Sequence, residues 1–155
     1  MRRLRTSIIA ISLILATTTL LATATVPAYA GARTHGSYRH QMFTATNRSR
    51  SAHHRGHLSL NKRMSALAER HSAEMAKRGY LFHTSNVGTY LRGVSWHAWG
   101  ENVGYMRGGD VHILQKAFMH SPVHRENILN GAFRHVAVGT VYNNGRLWVT
   151  VFFYG

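Results

Sequence analysis

The 155-residue chain has no cysteine, two prolines and only five acidic residues. Each scarcity excludes something. Without thiols there is no disulfide framework, no Cys-ligated zinc or iron–sulfur centre, no thiol nucleophile and no lipidated cysteine anchor. Carboxylate chemistry is confined to Glu69, Glu74, Glu101, Asp110 and Glu126. Also missing are His-Glu-x-x-His, Gly-x-Ser-x-Gly, a Walker loop and the dinucleotide-binding glycine fingerprint. What the chain does have is cation: nineteen Lys and Arg give a formal charge of +14, and twelve His stand beside them.

Residues 1–30 read as an address. Arg2, Arg3 and Arg5 form a basic start, and an apolar, Thr-containing stretch runs from Ile8 to about Val26. Ala28-Tyr29-Ala30 supplies a small-x-small cleavage site. This pattern predicts a secretory signal peptide cleaved after Ala30, and hence an extracellular product with no transmembrane segment once cleaved. Arg2-Arg3 leaves both Sec and twin-Arg export open. The remaining chain of roughly 125 residues is long enough for one core without disulfides, and it is expected to be a monomer. Its charge of about +11 predicts salt-sensitive association with polyanionic cell-surface polymers or anionic lipid. No basic-aromatic motif points to specific nucleic-acid recognition.

Residues 31–41 carry Gly, Ser and basic residues without an apolar period, so they read as a flexible leader. A weak helical pattern follows from Gln41 to about His54. A clearer helix has Leu60, Met64, Leu67, Ala68, His71 and Met75 on one face, with Gly79 at its C-terminal cap. Tyr80 to His83 reads as a short extended piece and 84–99 as a loop. Trp99 to Tyr105 reads as a short strand or turn. Asp110 caps a third helix, and Ser121-Pro122 opens a fourth that ends near Asn130-Gly131. The C-terminus reads as a β-hairpin turning at Asn143-Asn144-Gly145. Its return strand, Leu147 to Tyr154, is nearly all β-branched or aromatic, which predicts a central strand covered on both faces. Helices ahead of such a hairpin suggest an α+β fold, with a sheet between helices.

Glu101 stands between Gly100 and Asn102 in an apolar, aromatic stretch, where a carboxylate needs donors or a cation. His83 follows an apolar triplet, and His124 falls in the first turn of the fourth helix. Two imidazoles and one carboxylate would make a three-ligand metal site with a position left for water. Spacing alone does not bring them together.

Four ordered motifs carry a resemblance. They are Leu81-Phe82-His83-Thr84-Ser85, Trp99-Gly100-Glu101-Asn102-Val103, Ser121-Pro122-x-His124-Arg125-x-Asn127-Ile128-Leu129-Asn130, and Phe133-x-His135-Val136-x-Val138-Gly139. In this order they resemble the CAP superfamily (cysteine-rich secretory proteins, antigen 5 and pathogenesis-related 1 proteins), most closely its bacterial secreted SCP-like branch. The match spans 42–155. It implies a three-layer α-β-α sandwich with the C-terminal β-hairpin in the central sheet. It also implies a cleft where His83, Glu101 and His124 hold a divalent metal or small ligand. The second acid found in many eukaryotic members has no match here, since His120-Ser121 stands near its place. With one anion fewer, zinc is favoured over magnesium or calcium. His120, Ser121 and His135 are possible accessory contacts. Three functions follow as expectations: a secreted binding domain without established catalysis that takes a metal, lipid or other small ligand, a metal-assisted hydrolase, or a cationic binder of polyanions. Catalytic residues are not assigned, and an enzyme is the less favoured reading.

Overall fold

The computed structural model describes residues 35–155, so the signal peptide, its cleavage site and the start of the expected leader lie outside the described residues. The elements are α1 (His35–Ala52), β1 (Ser59–Leu60), α2 (Lys62–Arg78), α3 (Val87–Leu91), β2 (Trp99–Arg107), α4 (Val111–His120), α5 (Pro122–Leu129), β3 (His135–Asn143) and β4 (Arg146–Tyr154). One four-stranded sheet runs in the order β1-β3-β4-β2. β4 is antiparallel to both neighbours, and β1 pairs parallel with β3 through Ser59–His135 and Leu60–Val136.

The alternation of a strand divides β4 between two cores. Leu147, Val149, Val151 and Phe153 point to the layer of α1, α4 and α5, where Met42, Val111, Leu114, Phe118 and Ile128 are buried. Phe152 and Tyr154 point to the opposite layer with Met64, Ala68, Tyr90 and Leu91, while Trp148 joins Met75 and Val103. The architecture is the three-layer α-β-α sandwich, and β4 is its central, doubly covered strand. Asn144 and Gly145 take the positive φ values, 48° and 71°, that a tight hairpin requires.

α2 lies very close to β3 through a stripe of small residues, Ser65, Ala68 and Ser72. A Cβ at Gly139 would stand 2.0 Å from the Ala68 carbonyl carbon and 2.1 Å from the Glu69 nitrogen, so only glycine admits this approach. Beyond the two-residue β1, side chains bond the buried main chain of β3. Ser65 Oγ accepts from Val138 N at 3.1 Å, Arg39 Nε donates to Val138 O at 3.0 Å, and Ser72 Oγ donates to Gly139 O at 3.1 Å.

The structure departs from the sequence reading in five places. α1 begins at His35, inside the expected leader, because Tyr38 packs in the core one turn before Met42 and Arg39 bonds both Val138 O and Glu69. β1 takes Ser59 and Leu60, the latter expected as the first contact of the second helix, and α3 falls in the stretch read as a loop. Tyr80 to His83 is irregular rather than extended in a sheet. β2 is a full nine-residue strand, because it pairs with β4 along its whole length.

Candidate functional site

β2 is an edge strand, and its residues alternate between the two faces of the sheet. Glu101, opposite Phe152, faces α2, and Asn102, opposite Val151, faces α5. Gly100 makes room for the α5 side, since a Cβ there would stand 2.5 Å from Asn127 Oδ1. Asn127 then ties helix to strand. Its Nδ2 donates to Glu101 O at 3.2 Å and to Asn102 Oδ1 at 2.9 Å. Asn102 Nδ2 in turn donates to His124 O at 3.0 Å. The Gly-Glu-Asn triplet therefore performs three tasks: close approach, a carboxylate on one face and a clamp on the other.

The Glu101 side chain is only 1% exposed. Its Oε2 accepts from the Thr84 backbone N–H at 2.9 Å and from His83 Nδ1 at 2.8 Å. An ionised carboxylate only accepts, so the His83 proton sits on Nδ1 and the Nε2 lone pair is left for another partner. The His83 ring is 64% exposed, which places that nitrogen within reach of solvent or ligand. Glu101 Oε1 is buried without a hydrogen-bond partner among the described residues, and His71 Nε2 lies 3.9 Å from it. His71 Nε2 itself donates to Phe82 O at 2.9 Å, and its ring stands edge-on to Phe82. The Tyr90 hydroxyl is also buried without a partner among the described residues. Burial first, and the Glu101 charge second, raise its pKa and keep it protonated.

His124 lies in the first turn of α5 with its ring 4.9 Å from that of Phe118. Ser121, the N-cap residue, makes no side-chain capping bond, and its Oγ lies 2.9 Å from His124 Nδ1 instead. Burial lowers the His124 pKa, and repulsion from His83 lowers it further whenever that ring is protonated, so the His124 ring is neutral at pH 7.

His83 and Glu101 thus meet directly, and His124 lies within electrostatic reach of His83. The expected three-ligand arrangement is not formed: among the described residues, no group of three or more His, Asp or Glu side chains is disposed to hold a metal ion. Strand alternation gives the reason, since Glu101 sits on the α2 face of β2 and α5 packs on the other. Of the accessory residues, Ser121 contacts the site. His120 does not, because its Nδ1 turns back to Lys116 O at 2.7 Å. His135 stacks on Tyr154 at 4.8 Å, on the far side of β4 from Glu101. The sequence reading missed His71, Asn102, Thr84 and Asn127 as parts of the site. His71 carried a signal, since an imidazole on an otherwise apolar helix face needs a polar partner.

The comparisons with known proteins agree on the family and on the fold. The model of the cysteine-rich secretory protein family, CAP, matches residues 43–153. The uncharacterized protein YkwD of Bacillus subtilis (strain 168) is 30% identical over 122 residues, covering 75% of this chain and 47% of that protein. The crystal structure of an extracellular protein containing a SCP domain from Bacillus anthracis str. Ames superposes with a TM-score of 0.66 at 30% identity. It covers 77% of this chain and 41% of that one. A cysteine-rich secretory protein from Staphylococcus aureus subsp. aureus Mu50 shares the fold, with a TM-score of 0.65 at 21% identity over 79% of this chain and 40% of that one. The chain spans less than half the length of each of these relatives. No helix among the described residues is long and apolar enough to cross a membrane.

Proposed function

Since the chain belongs to the CAP, or cysteine-rich secretory protein, family, we propose that it is an extracellular binding domain whose His83–His124 edge holds a divalent metal of the zinc class. One observation carries the reading: a buried carboxylate fixes the tautomer of a solvent-facing imidazole, through His83 Nδ1 to Glu101 Oε2 at 2.8 Å. Histidines that ligate metals are commonly oriented in this way, through the ring nitrogen that does not bind. His124 is the second donor, and its lowered pKa keeps it neutral as a ligand must be. Ser121 Oγ can accept its Nδ1 proton, which leaves Nε2 for the ion. Glu101 orients rather than ligates. Such a metal would supply a Lewis-acidic contact for an anionic or carbonyl group of a small ligand.

Two protein donors are fewer than structural or catalytic zinc ordinarily has. Binding is therefore modest and exchangeable, with water or ligand completing the shell. The hydrolase reading is less favoured, because the one carboxylate is sealed from solvent and already committed to His83 and Thr84. Calorimetric titration with zinc chloride is the test. The mature protein should bind one equivalent, and the His83→Ala, His124→Ala double variant should lose at least about tenfold in affinity. Unchanged affinity in a folded double variant removes the site.

A further inference from the structure

A concavity of about 280 Å³ lies between the end of α1 and the loop that joins α5 to β3. Arg50, Arg55, Arg134, His54 and His57 line it, and no acidic residue does. Among the described residues, no carboxylate comes within ion-pair distance of any of the three arginines. Glu69 pairs with Arg39, Glu74 with Arg78 and Glu101 with His83, Asp110 caps α4, and the exposed Glu126 is in no ion pair among the described residues.

Arg50 makes this more than a solvated basic surface. It is 1% exposed and stands among the largest fully buried side chains. Its Nε donates to Gly56 O at 2.6 Å, and its Nη1 donates to Ile128 O at 2.7 Å and Asn130 O at 2.9 Å. All three acceptors are neutral carbonyls, so the geometry is satisfied and the charge is not. Burial lowers the Arg50 pKa, and repulsion from Arg134 and then Arg55 lowers it further, which agrees with uncompensated positive charge. Buried charge is normally paired.

The other two guanidiniums border the same hollow from exposed positions. Arg134 Nη1 donates to Gly131 O and Phe133 O, at 2.5 and 3.0 Å. The Arg55 Nη1 atom lies 3.6 Å from where a Cβ on Gly131 would be. Gly56 and Gly131, both without side chains, also line it.

We propose that the Arg50–Arg55–Arg134 hollow is a binding site for a phosphate group, distinct from the His83–His124 edge. A carboxylate presents two oxygens and saturates one guanidinium fork. A phosphate presents three or four and can accept from two or three guanidiniums that approach from different directions. The missing counter-charge is then supplied by the ligand. The same chemistry is found in free inorganic phosphate and in the phosphodiester links of an anionic polymer.

The test is calorimetry on the mature protein with two probes, inorganic phosphate and a short glycerol-phosphate oligomer, at constant ionic strength set with sodium chloride. Arg50 is avoided because its removal threatens the fold. The Arg55→Gln, Arg134→Gln variant and the Arg55→Gln single variant are compared with a charge-matched control, Lys77→Gln, Arg107→Gln, whose sites are exposed and lie outside the hollow. Expected are saturable phosphate binding in the parent and the control, and about tenfold or greater weakening in the double variant. Comparable affinities for both probes identify free phosphate as sufficient, and marked preference for the oligomer identifies a polymer. Equal weakening in the control, or no saturable binding of either probe, overturns the proposal. Unaltered zinc binding in the double variant is expected, so failure here is separable from failure at the His edge.

Discussion

Replacing Glu101 with glutamine tests the reading of the His edge at its centre. The substitution is nearly isosteric, and an amide oxygen can keep the bond from Thr84 N that now measures 2.9 Å. The same oxygen also accepts from His83 Nδ1 at 2.8 Å, so the amide oxygen can keep both bonds while its NH2 takes the place of the unpartnered Oε1. What is lost is the negative charge that holds the His83 proton on Nδ1 and raises the basicity of Nε2, the nitrogen proposed to bind metal. Loss of a carboxylate behind a ligating histidine costs about ten- to a hundredfold in metal affinity, or about 1.4–2.8 kcal/mol. Stability should change far less. The Thr84 bond loses its charge assistance, worth about 1 kcal/mol, but an unpartnered, buried Oε1 loses its charge too. Because His83 is largely exposed, its contact with Glu101 adds little further. Zinc calorimetry gives the affinity, and ¹⁵N chemical shifts of the ring give the tautomer. A folded Glu101→Gln variant with parental zinc affinity, or a parent His83 ring whose proton sits on Nε2, refutes the reasoning.

Two further outcomes are expected. Gly139→Ala forces a methyl group into the main chain of α2, so it should destabilise by about 3 kcal/mol, above the usual overpacking cost because a backbone cannot rotate away. A fall in Tm of about 10 °C follows for a domain of this size, and a Tm within 2 °C of the parent (about half a kcal/mol) would mean that α2 slides freely on the sheet. The lowered pKa of His124 makes stability depend on pH. The unfolded ring binds a proton near pH ~6.5 and the folded ring only below that. Its contribution is thus fully present above about pH 6.5 and lost as pH falls through the lower, folded pKa. Unfolding midpoints from pH 8 to pH 5 should decline, and His124→Gln should flatten that decline; equal slopes in both proteins count against a buried neutral ring.

The parts of the fold that depend on periodicity were legible in the sequence. Leu147 to Tyr154 could only be an inner strand, and the face of α2 carrying Met64, Ala68 and Met75 could only be buried. Elements held by tertiary contacts were not legible. β1 exists through two pairings with β3, α3 through an Asn86 cap and the burial of Tyr90 and Leu91, and the first turns of α1 through Tyr38 and Arg39. At the site, the partnership of His83 and Glu101 followed from the resemblance, not from spacing. Its main limit, that Glu101 and α5 occupy opposite faces of β2, required the strand register. Arg50 gave no signal, because an arginine near the end of a weakly amphipathic helix looks like any solvated charge.

α5 is held at both of its ends. Its opening turn is pinned to β2 through Asn102, and its last carbonyls are gripped by the Arg50 side chain from α1. An eight-residue rod of about 12 Å fastened in this way has little room to rock. The reach from His124 to His83 is consequently inherited from main-chain anchorage, and a lesion at the distant, arginine end would be felt as a misaligned imidazole.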